Sequence, residues 1–158
     1  MKNIQRKNLI TCLAIPLAVG SLSALLTRNS METFHTLLKP ALTPPGWLFP
    51  VVWTILYLLM GIASYLVITS GKPDDQALMV YGIQLAFNFF WSIIFFNLKL
   101  YFFALVWLVL LWMLILKTIL LFYQITKPAG YLMIPYLLWV SFAGYLNLCI
   151  YLLNVVKI

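Results

Sequence analysis

Acidic residues, histidine and cysteine are scarce in this sequence. Its 158 residues include three Asp and Glu, one His and two Cys. General acid–base pairs, metal sites and nucleophilic triads are built from these residue types, and Glu32, Asp74 and Asp75 have no partner at catalytic spacing. Cys12 and Cys149 lie in separate apolar runs. The sequence therefore predicts no conventional hydrolase or transferase site, no metal site and no disulfide framework.

Charged residues of either sign are also few. They make up 8% of the chain, whereas 65% of the residues are hydrophobic and the mean hydropathy is +1.03. A water-soluble domain of this length cannot bury so much apolar surface in one core, which indicates an integral membrane protein. The net charge of +7 would suggest nucleic acid in a soluble chain. Here the basic residues lie mostly between apolar runs, so we interpret them as topology signals and anchors at the lipid interface, and predict no nucleic-acid partner.

Long apolar runs divide the chain into predicted membrane spans. A spanning helix needs about 20 predominantly apolar residues, and the runs of this length are residues 8–27, 47–70, 77–97, 101–124 and 129–153. The basic start of the first run is also a feature of signal peptides, but it lacks a convincing cleavage site, so we keep it as a span. Short breaks between the later runs favour antiparallel neighbours. We predict an all-α integral membrane protein, with residues 1–158 forming one compact bundle of five transmembrane helices.

Three of the predicted spans carry aromatic and polar residues on one helical face. The members are Trp53, Tyr57, Met60 and Ser64 in the second span, Gln84, Asn88 and Trp91 in the third, and Trp139, Ala143, Leu146 and Asn147 in the fifth. Amides are costly in hydrocarbon unless they find partners or face a cavity. The stripes therefore indicate either a bundle interior that encloses a flat, mostly apolar ligand, or interhelical hydrogen bonds combined with a belt of interfacial tryptophans.

Small residues lie on the opposite face of the third span. Gly82 and Ala86 are four residues apart, and such pairs let another helix approach closely. The face that they form is a candidate interface for a homodimer. Packing within the bundle explains the same pair equally well.

Three segments of the sequence resemble the signatures of one membrane-protein family. They are "KPALTPPGWLFPVVWTILYLLMG" (residues 39–61), "QLAFNFFWSIIFF" (84–96) and "PYLLWVSFAGYLNLCIYLLN" (135–154). In order and spacing they resemble the TspO/MBR family, which comprises the tryptophan-rich sensory proteins of bacteria and the mitochondrial translocator protein, once called the peripheral benzodiazepine receptor. The resemblance extends over the second to fifth spans, and the length and number of spans fit the family too.

The resemblance implies a ligand pocket beneath the loop between the first two spans. Members of the family bind protoporphyrin IX and other haem-like tetrapyrroles, sterols in animals, and synthetic isoquinoline carboxamides. Carried over to this chain, the pocket residues are Trp53, Tyr57, Asn88, Trp91, Trp139, Ala143, Leu146 and Asn147. We add Gln84, which shares its stripe with Asn88, and Trp47, which we expect at the pocket rim.

The resemblance also implies two functional alternatives. Some bacterial members promote the light- and oxygen-dependent breakdown of protoporphyrin IX, and in that case Trp53 and Trp139 are the expected oxidisable residues. Light and oxygen would be needed, with the porphyrin as substrate and no further cofactor. The alternative is a carrier or sensor that binds a porphyrin, sterol or other flat ligand without chemistry. Either protein would reside in a bacterial cell membrane.

Residues 28–46 form the longest predicted loop, which we expect to act as a lid over the pocket. Pro44 and Pro45 restrict its backbone, which lowers the entropic cost of closing it, although two prolines are also an ordinary way to start a helix. The family pattern has a Trp-Tyr pair and a further Trp in this loop, where this chain has Thr33-Phe34 and Ala41-Leu42. We therefore expect weaker porphyrin binding or slower degradation than in relatives that keep these tryptophans.

Two further residues allow alternative interpretations. His35, the single histidine of the chain, is either a solvated loop residue or a ligand to haem iron. Lys117 lies within the fourth predicted span. It either extends its ammonium group to the nearer interface or pairs with ligand carboxylates.

Overall fold

Six α-helices make up most of residues 5–157, the part of the chain that the computed structural model describes, leaving aside the side chains of Met31 and Thr33. The helices are α1 (Arg6–Thr27), α2 (Met31–Thr36), α3 (Leu48–Ile68), α4 (Asp75–Ser92), α5 (Tyr101–Ile125) and α6 (Lys127–Tyr151). A 3₁₀ turn, Arg28–Ser30, follows α1. π-helical turns extend α4 over Ile93–Asn97 and α6 over Leu152–Val156.

Five helical segments of this described part are long and apolar enough to cross a membrane. They are Arg6–Ser30, Leu48–Ile68, Asp75–Asn97, Tyr101–Ile125 and Lys127–Val156. In hydrocarbon every backbone N–H and C=O group must be paired inside the protein, and an α-helix achieves this within one segment. The predicted fold class, an all-α membrane protein with five spans in one bundle, is confirmed.

Prolines and a capping aspartate mark where the helices begin. Pro44 and Pro45 precede α3, and the N–H of Leu48 donates to the carbonyl oxygen of Pro45 at 3.0 Å. Asp74 caps α4, because its side chain accepts a hydrogen bond from the N–H of Gln76 at 2.9 Å. Proline at a helix start loses no helical hydrogen bond, since the first N–H groups have no intrahelical acceptor.

The end of α3 comes two residues before the expected boundary. The hydroxyl of Thr69 donates to the carbonyl oxygen of Tyr65 at 2.8 Å, and that of Ser70 donates to Val67 at 2.7 Å. Such local side-chain bonds compete with continuation of a helix. Gly71 then turns the chain with a φ of 81°, a conformation that glycine adopts without steric cost.

The five long helices form a closed ring in the order α1, α3, α6, α5, α4. Because consecutive spans run antiparallel, the end of α1, the start of α3 and the ends of α4 and α6 all lie at one end of the bundle. The loop of residues 28–46, which we call the lid, crosses this end. The bundle core consists of fully buried side chains that include Met60, Leu111, Phe122 and Tyr136.

Helices α1 and α3 approach each other closely at Gly61. A Cβ atom placed on Gly61 would lie 2.8 Å from the carbonyl oxygen of Cys12 and 2.9 Å from the Cα of Leu13. Both are backbone atoms, so the neighbouring helix would have to move as a unit to relieve the clash. The absence of a side chain at Gly61 therefore sets the distance between the two helices.

We expect Gly61→Ala to lower the free energy of unfolding by about 1–3 kcal/mol through overpacking. Gly82→Ala is the matched control, because it adds the same methyl group where no atom lies within 4 Å, and it should leave the protein as stable or slightly more stable. Thermal unfolding in detergent measures both. Equal melting temperatures for the two variants would contradict the close α1–α3 contact.

Candidate ligand-binding site

A cavity of about 370 Å³ lies at the end of the bundle that the lid crosses. Its wall comes from the last turns of α1, the first turns of α3, the end of α4 with its π turn, and the second half of α6. Phe34 of α2 and Gly46 of the lid complete it, and no residue of α5 contributes. This volume falls within the range of about 300–1,000 Å³ that is usual for small-molecule sites.

Eight aromatic rings line the cavity. They are Phe34, Phe49, Trp53, Tyr57, Trp91, Phe95, Phe96 and Trp139. Trp53 stacks on Tyr57 with 5.6 Å between the ring centroids, whereas Phe49 meets Trp139 edge to face at 5.9 Å. Rings held in such contacts have fixed orientations, so they offer a ligand preformed apolar faces.

Two polar side chains of the wall are already engaged by protein partners. The amide nitrogen of Asn147 donates to the carbonyl oxygen of Tyr101 at 2.8 Å, and its oxygen lies 3.4 Å from the indole nitrogen of Trp91. The hydroxyl of Thr27 donates to the carbonyl oxygen of Ser23 at 2.9 Å. A ligand would have to find its hydrogen-bond partners elsewhere in the wall.

The indole N–H of Trp139 is buried and unpaired. Its nitrogen has no hydrogen-bond acceptor within residues 5–157. Leaving a buried donor unpaired costs about 1–3 kcal/mol. Trp139 lines the cavity, but this nitrogen has no appreciable accessible surface, so it is not a contact point for a bound molecule in this conformation.

The lid closes over the cavity through Phe34. Its side chain is 8% exposed, and its ring contacts those of Phe49, Phe95 and Phe96 with centroid distances of 5.6–6.3 Å. The ammonium group of Lys39 lies 4.7 Å from the centroid of the Phe34 ring, which adds a cation–π contact. The lid therefore contributes an aromatic ring to the wall even though it lacks the tryptophans of the family pattern.

Two asparagines, one in each π turn, hold the lid in place. Asn154 forms a reciprocal pair with the backbone of Leu38, in which its oxygen accepts from the N–H and its nitrogen donates to the carbonyl, both at 2.9 Å. Asn97 donates to the carbonyl oxygen of Leu26 at 3.1 Å and accepts from the hydroxyl of Ser30 at 2.7 Å. π-helical turns often occur at functional sites, and here each presents an amide to the segment that covers the cavity.

Comparison with known proteins gives the family. The sequence model of the TspO/MBR family matches residues 12–153. The chain belongs to the TspO/MBR family. It is 42% identical over 156 residues to tryptophan-rich protein TspO of Chlorobaculum tepidum. That alignment covers 96% of this chain and 99% of the Chlorobaculum protein. It is 38% identical to the tryptophan-rich sensory protein of Cereibacter sphaeroides (87% and 85% covered) and 34% identical to the translocator protein of Bos taurus (84% and 82% covered).

Membership of the TspO/MBR family confirms the resemblance that the sequence motifs indicated. The matched region reaches from α1 to the π turn after α6, so it includes the lid and the whole cavity wall. Six tryptophans occur in this TspO/MBR chain. Trp53, Trp91 and Trp139 line the cavity.

Most of the site residues predicted from the sequence lie together in the cavity wall of this TspO/MBR protein. They are Trp53, Tyr57, Trp91, Trp139, Ala143, Leu146 and Asn147. The three stripes thus meet at one end of the bundle, because the start of α3 and the ends of α4 and α6 lie side by side there.

Gln84 and Asn88 lie deeper in the bundle and do not line the cavity. Both are fully buried. The amide nitrogen of Asn88 donates to the hydroxyl of Tyr136 at 2.9 Å, and that of Gln84 lies 3.8 Å from the sulfur of Met60. Gln84 precedes Trp91 by seven residues, or about 10 Å along the helix axis. It therefore shares the helical face of Trp91 but lies farther from the lid, below the cavity. These two amides act between helices, which is the second interpretation of the stripe.

Three other residues singled out in the sequence also lie outside the cavity wall. Trp47 is 67% exposed at the start of α3, a position typical of interfacial tryptophans. His35 and Lys117 are exposed and belong to the lid and to α5 respectively. The structure thus places none of the three next to a ligand in this cavity.

The first span supplies wall residues that the sequence reasoning did not identify. They are Gly20, Ser23, Ala24, Thr27 and Arg28. The first four recur at helical spacing and are small, so they form a low ridge on one face of α1. The site residues of the other spans were predicted from aromatic and amide side chains. In α1 the corresponding pattern is a stripe of small and hydroxyl residues on one helical face.

We expect Asn154→Leu to loosen the lid, because it removes both hydrogen bonds to Leu38. At about 0.5–1.5 kcal/mol each, their loss should raise the opening equilibrium of the lid about 5- to 150-fold. Hydrogen exchange of lid peptides that contain Leu38, measured by mass spectrometry in detergent, reports this opening. Val155→Leu is the matched control, since Val155 is exposed in the same turn. Equal exchange rates in the two variants would show that Asn154 does not hold the lid.

Proposed function

We propose that this TspO/MBR membrane protein binds protoporphyrin IX, or another haem-like tetrapyrrole, in the cavity beneath the lid and promotes its light- and oxygen-dependent breakdown. The observation that supports this best is the presence of Trp53, Trp91 and Trp139 in the wall of one largely apolar cavity. Flat aromatic ligands are held by ring faces and edges of this kind. Isoquinoline carboxamides, which are flat and carry an amide oxygen, are expected to compete for the same cavity.

The proposed chemistry assigns light absorption to the porphyrin and oxidation to dioxygen. The protein supplies a closed pocket and orients the ring in it, as proteins generally do for reactive chromophores. Trp53 and Trp139 are the proposed catalytic residues, because both line the cavity and indole is the most easily oxidised side chain there.

A carrier or sensor of the same ligands is the second candidate. One observation favours it: among the described residues that line the cavity, Arg28 and Tyr57 are the only ones with titratable side chains. The wall therefore offers no pair of groups for acid–base catalysis. Such a protein would bind the porphyrin and release it unchanged.

Conservative tryptophan variants distinguish the two candidates. We expect Trp53→Phe and Trp139→Phe to slow the bleaching of bound protoporphyrin IX in light more than they weaken its binding, because each keeps an apolar ring but removes the oxidisable indole. The Soret band, followed in light and in darkness at matched occupancy, gives the rate. Trp112→Phe is the control, since Trp112 lies outside the cavity wall and its N–H donates to the hydroxyl of Ser141.

Three outcomes are distinguishable. Slower bleaching in the two cavity variants, with the control unchanged, supports photooxidation with a chemical role for the indoles. Equal bleaching rates in all variants at matched occupancy favour the carrier or sensor. Failure of the parent protein to bind protoporphyrin IX at all would contradict both candidates.

We also propose that the protein forms a homodimer in a bacterial cell membrane, with α4 at the interface. Gly82 and Ala86 are exposed on the outer face of α4, and a Cβ atom placed on Gly82 would meet no atom within 4 Å. Met79, Ile83 and Phe90 flank this surface and are exposed as well. A second α4 could therefore approach there closely without disturbing the bundle.

Gly82→Leu should weaken this dimer, because the new side chain would separate the two helices, whereas porphyrin binding should persist since Gly82 is not in the cavity wall. Val109→Leu on the exposed face of α5 is the control. Chemical cross-linking in nanodiscs that can hold two copies measures the dimer fraction. An unchanged dimer fraction in Gly82→Leu would exclude this face of α4 from the interface.

A further inference from the structure

The cavity has one charged end. Among the described residues that line it, Arg28 is the only one with a charged side chain at neutral pH, and none of them is acidic. Arg28 directly follows α1 and begins the 3₁₀ turn that leads into the lid. The opposite, deeper part of the wall is formed by aromatic and aliphatic side chains of α3 and α6. The cavity is therefore amphipathic along its length.

The guanidinium group of Arg28 has no protein counter-charge. Within residues 5–157 it forms no ion pair and no side-chain hydrogen bond. Glu32 follows one helical turn later and is exposed, but it does not pair with Arg28. A guanidinium carries five N–H donors in a planar fork that fits a carboxylate with two parallel hydrogen bonds. Arg28 is exposed, so those donors remain available to an anionic group at the lid end of the cavity.

The other polar groups near Arg28 do not compete for such a molecule. The hydroxyl of Thr27 donates back into α1. The ammonium group of Lys39 in the lid is directed to the Phe34 ring and lies 3.5 Å from the carbonyl oxygen of His35. Lys39 is also absent from the cavity wall. An anionic group inside the cavity would therefore meet the charge of Arg28 alone.

We propose that Arg28 selects ligands that combine a flat apolar body with a carboxylate or similar anionic group, and that it holds this group at the lid end of the cavity. The inference rests on the proposed porphyrin-binding function, since protoporphyrin IX carries two carboxylates on one edge of its ring. The apolar ring enters between α3 and α6, and the carboxylate edge stays beneath the lid. Charge-assisted hydrogen bonds of this kind are stronger than neutral ones.

Protoporphyrin IX and its neutral dimethyl ester provide the test, because they differ only in the two carboxylates. Dissociation constants of both are measured by quenching of tryptophan fluorescence on the purified full-length protein in detergent, for the parent, Arg28→Gln and Arg28→Lys. The ratio of the two dissociation constants is compared between variants. The acid and the ester partition differently into detergent, but this difference is the same for every variant and therefore cancels in the comparison. Lys39→Gln is the matched control, since it removes one positive charge from the same end of the bundle.

We expect Arg28→Gln to reduce the preference for the acid over the ester about tenfold, with the ester affinity unchanged. Arg28→Lys should retain part of the preference, because it keeps the charge but loses the fork. Lys39→Gln should leave the ratio unchanged. An equal ratio in the parent and in Arg28→Gln would overturn the role of Arg28 while leaving porphyrin binding intact. Failure of the parent to bind either compound would instead overturn the proposed function.

A second measurement on the parent guards against a variant that fails to fold. Raising the salt concentration from about 50 mM to about 500 mM shortens the screening length severalfold. If an ion pair holds the acid, its affinity should fall over this range while that of the ester does not. Equal salt dependence of the two compounds would overturn the proposal without any substitution.

Discussion

The absence of water inside a lipid bilayer makes every unpaired polar group of this chain costly. The asparagine amides show how far this constraint extends. Asn88 donates to Tyr136 in the middle of the bundle, Asn147 donates to the backbone of Tyr101 at the cavity, and Asn154 pairs with the lid. Each bond joins elements that are distant in sequence. The helices, the cavity and the lid are thus positioned by a few amide hydrogen bonds within an otherwise apolar protein.

The cavity exists because large and small side chains are distributed unevenly around the ring of helices. α3, α4 and α6 bring tryptophan, tyrosine and phenylalanine to one end of the bundle, whereas α1 faces them with Gly20, Ser23, Ala24 and Thr27. A helix with bulky residues at those four positions would fill the space. The close contact of α1 with α3 at Gly61 fixes the deeper end, so the gap opens only beneath the lid. A partly enclosed, mostly apolar volume next to the interface follows from this arrangement.

Much of this arrangement could be predicted from the sequence. Length and hydropathy predict five spans, and helical periodicity identifies the face on which Trp53, Trp91 and Trp139 lie. Periodicity does not give depth, however. Gln84 and Trp91 share a face of α4, but about 10 Å of helix separates them, and the cavity occupies only the end near Trp91. The contribution of α1 was missed because small residues are as typical of tight packing as of a cavity wall. The π turns that direct Asn97 and Asn154 to the lid had no recognisable signal, since they depend on tertiary contacts.

The lid of this chain differs in kind from the one that the family pattern describes. Where that pattern places a Trp-Tyr pair, Phe34 supplies a ring that packs against Phe49, Phe95 and Phe96 but carries no hydrogen-bond donor. The lid therefore closes through apolar ring contacts, while its position is set by hydrogen bonds of the Leu38 backbone with Asn154 and of the Ser30 hydroxyl with Asn97. Phenylalanine is also harder to oxidise than tryptophan. The oxidisable side chains of the cavity wall are therefore the indoles of Trp53, Trp91 and Trp139 and the phenol of Tyr57, whereas Phe34 of the lid contributes only an apolar cover.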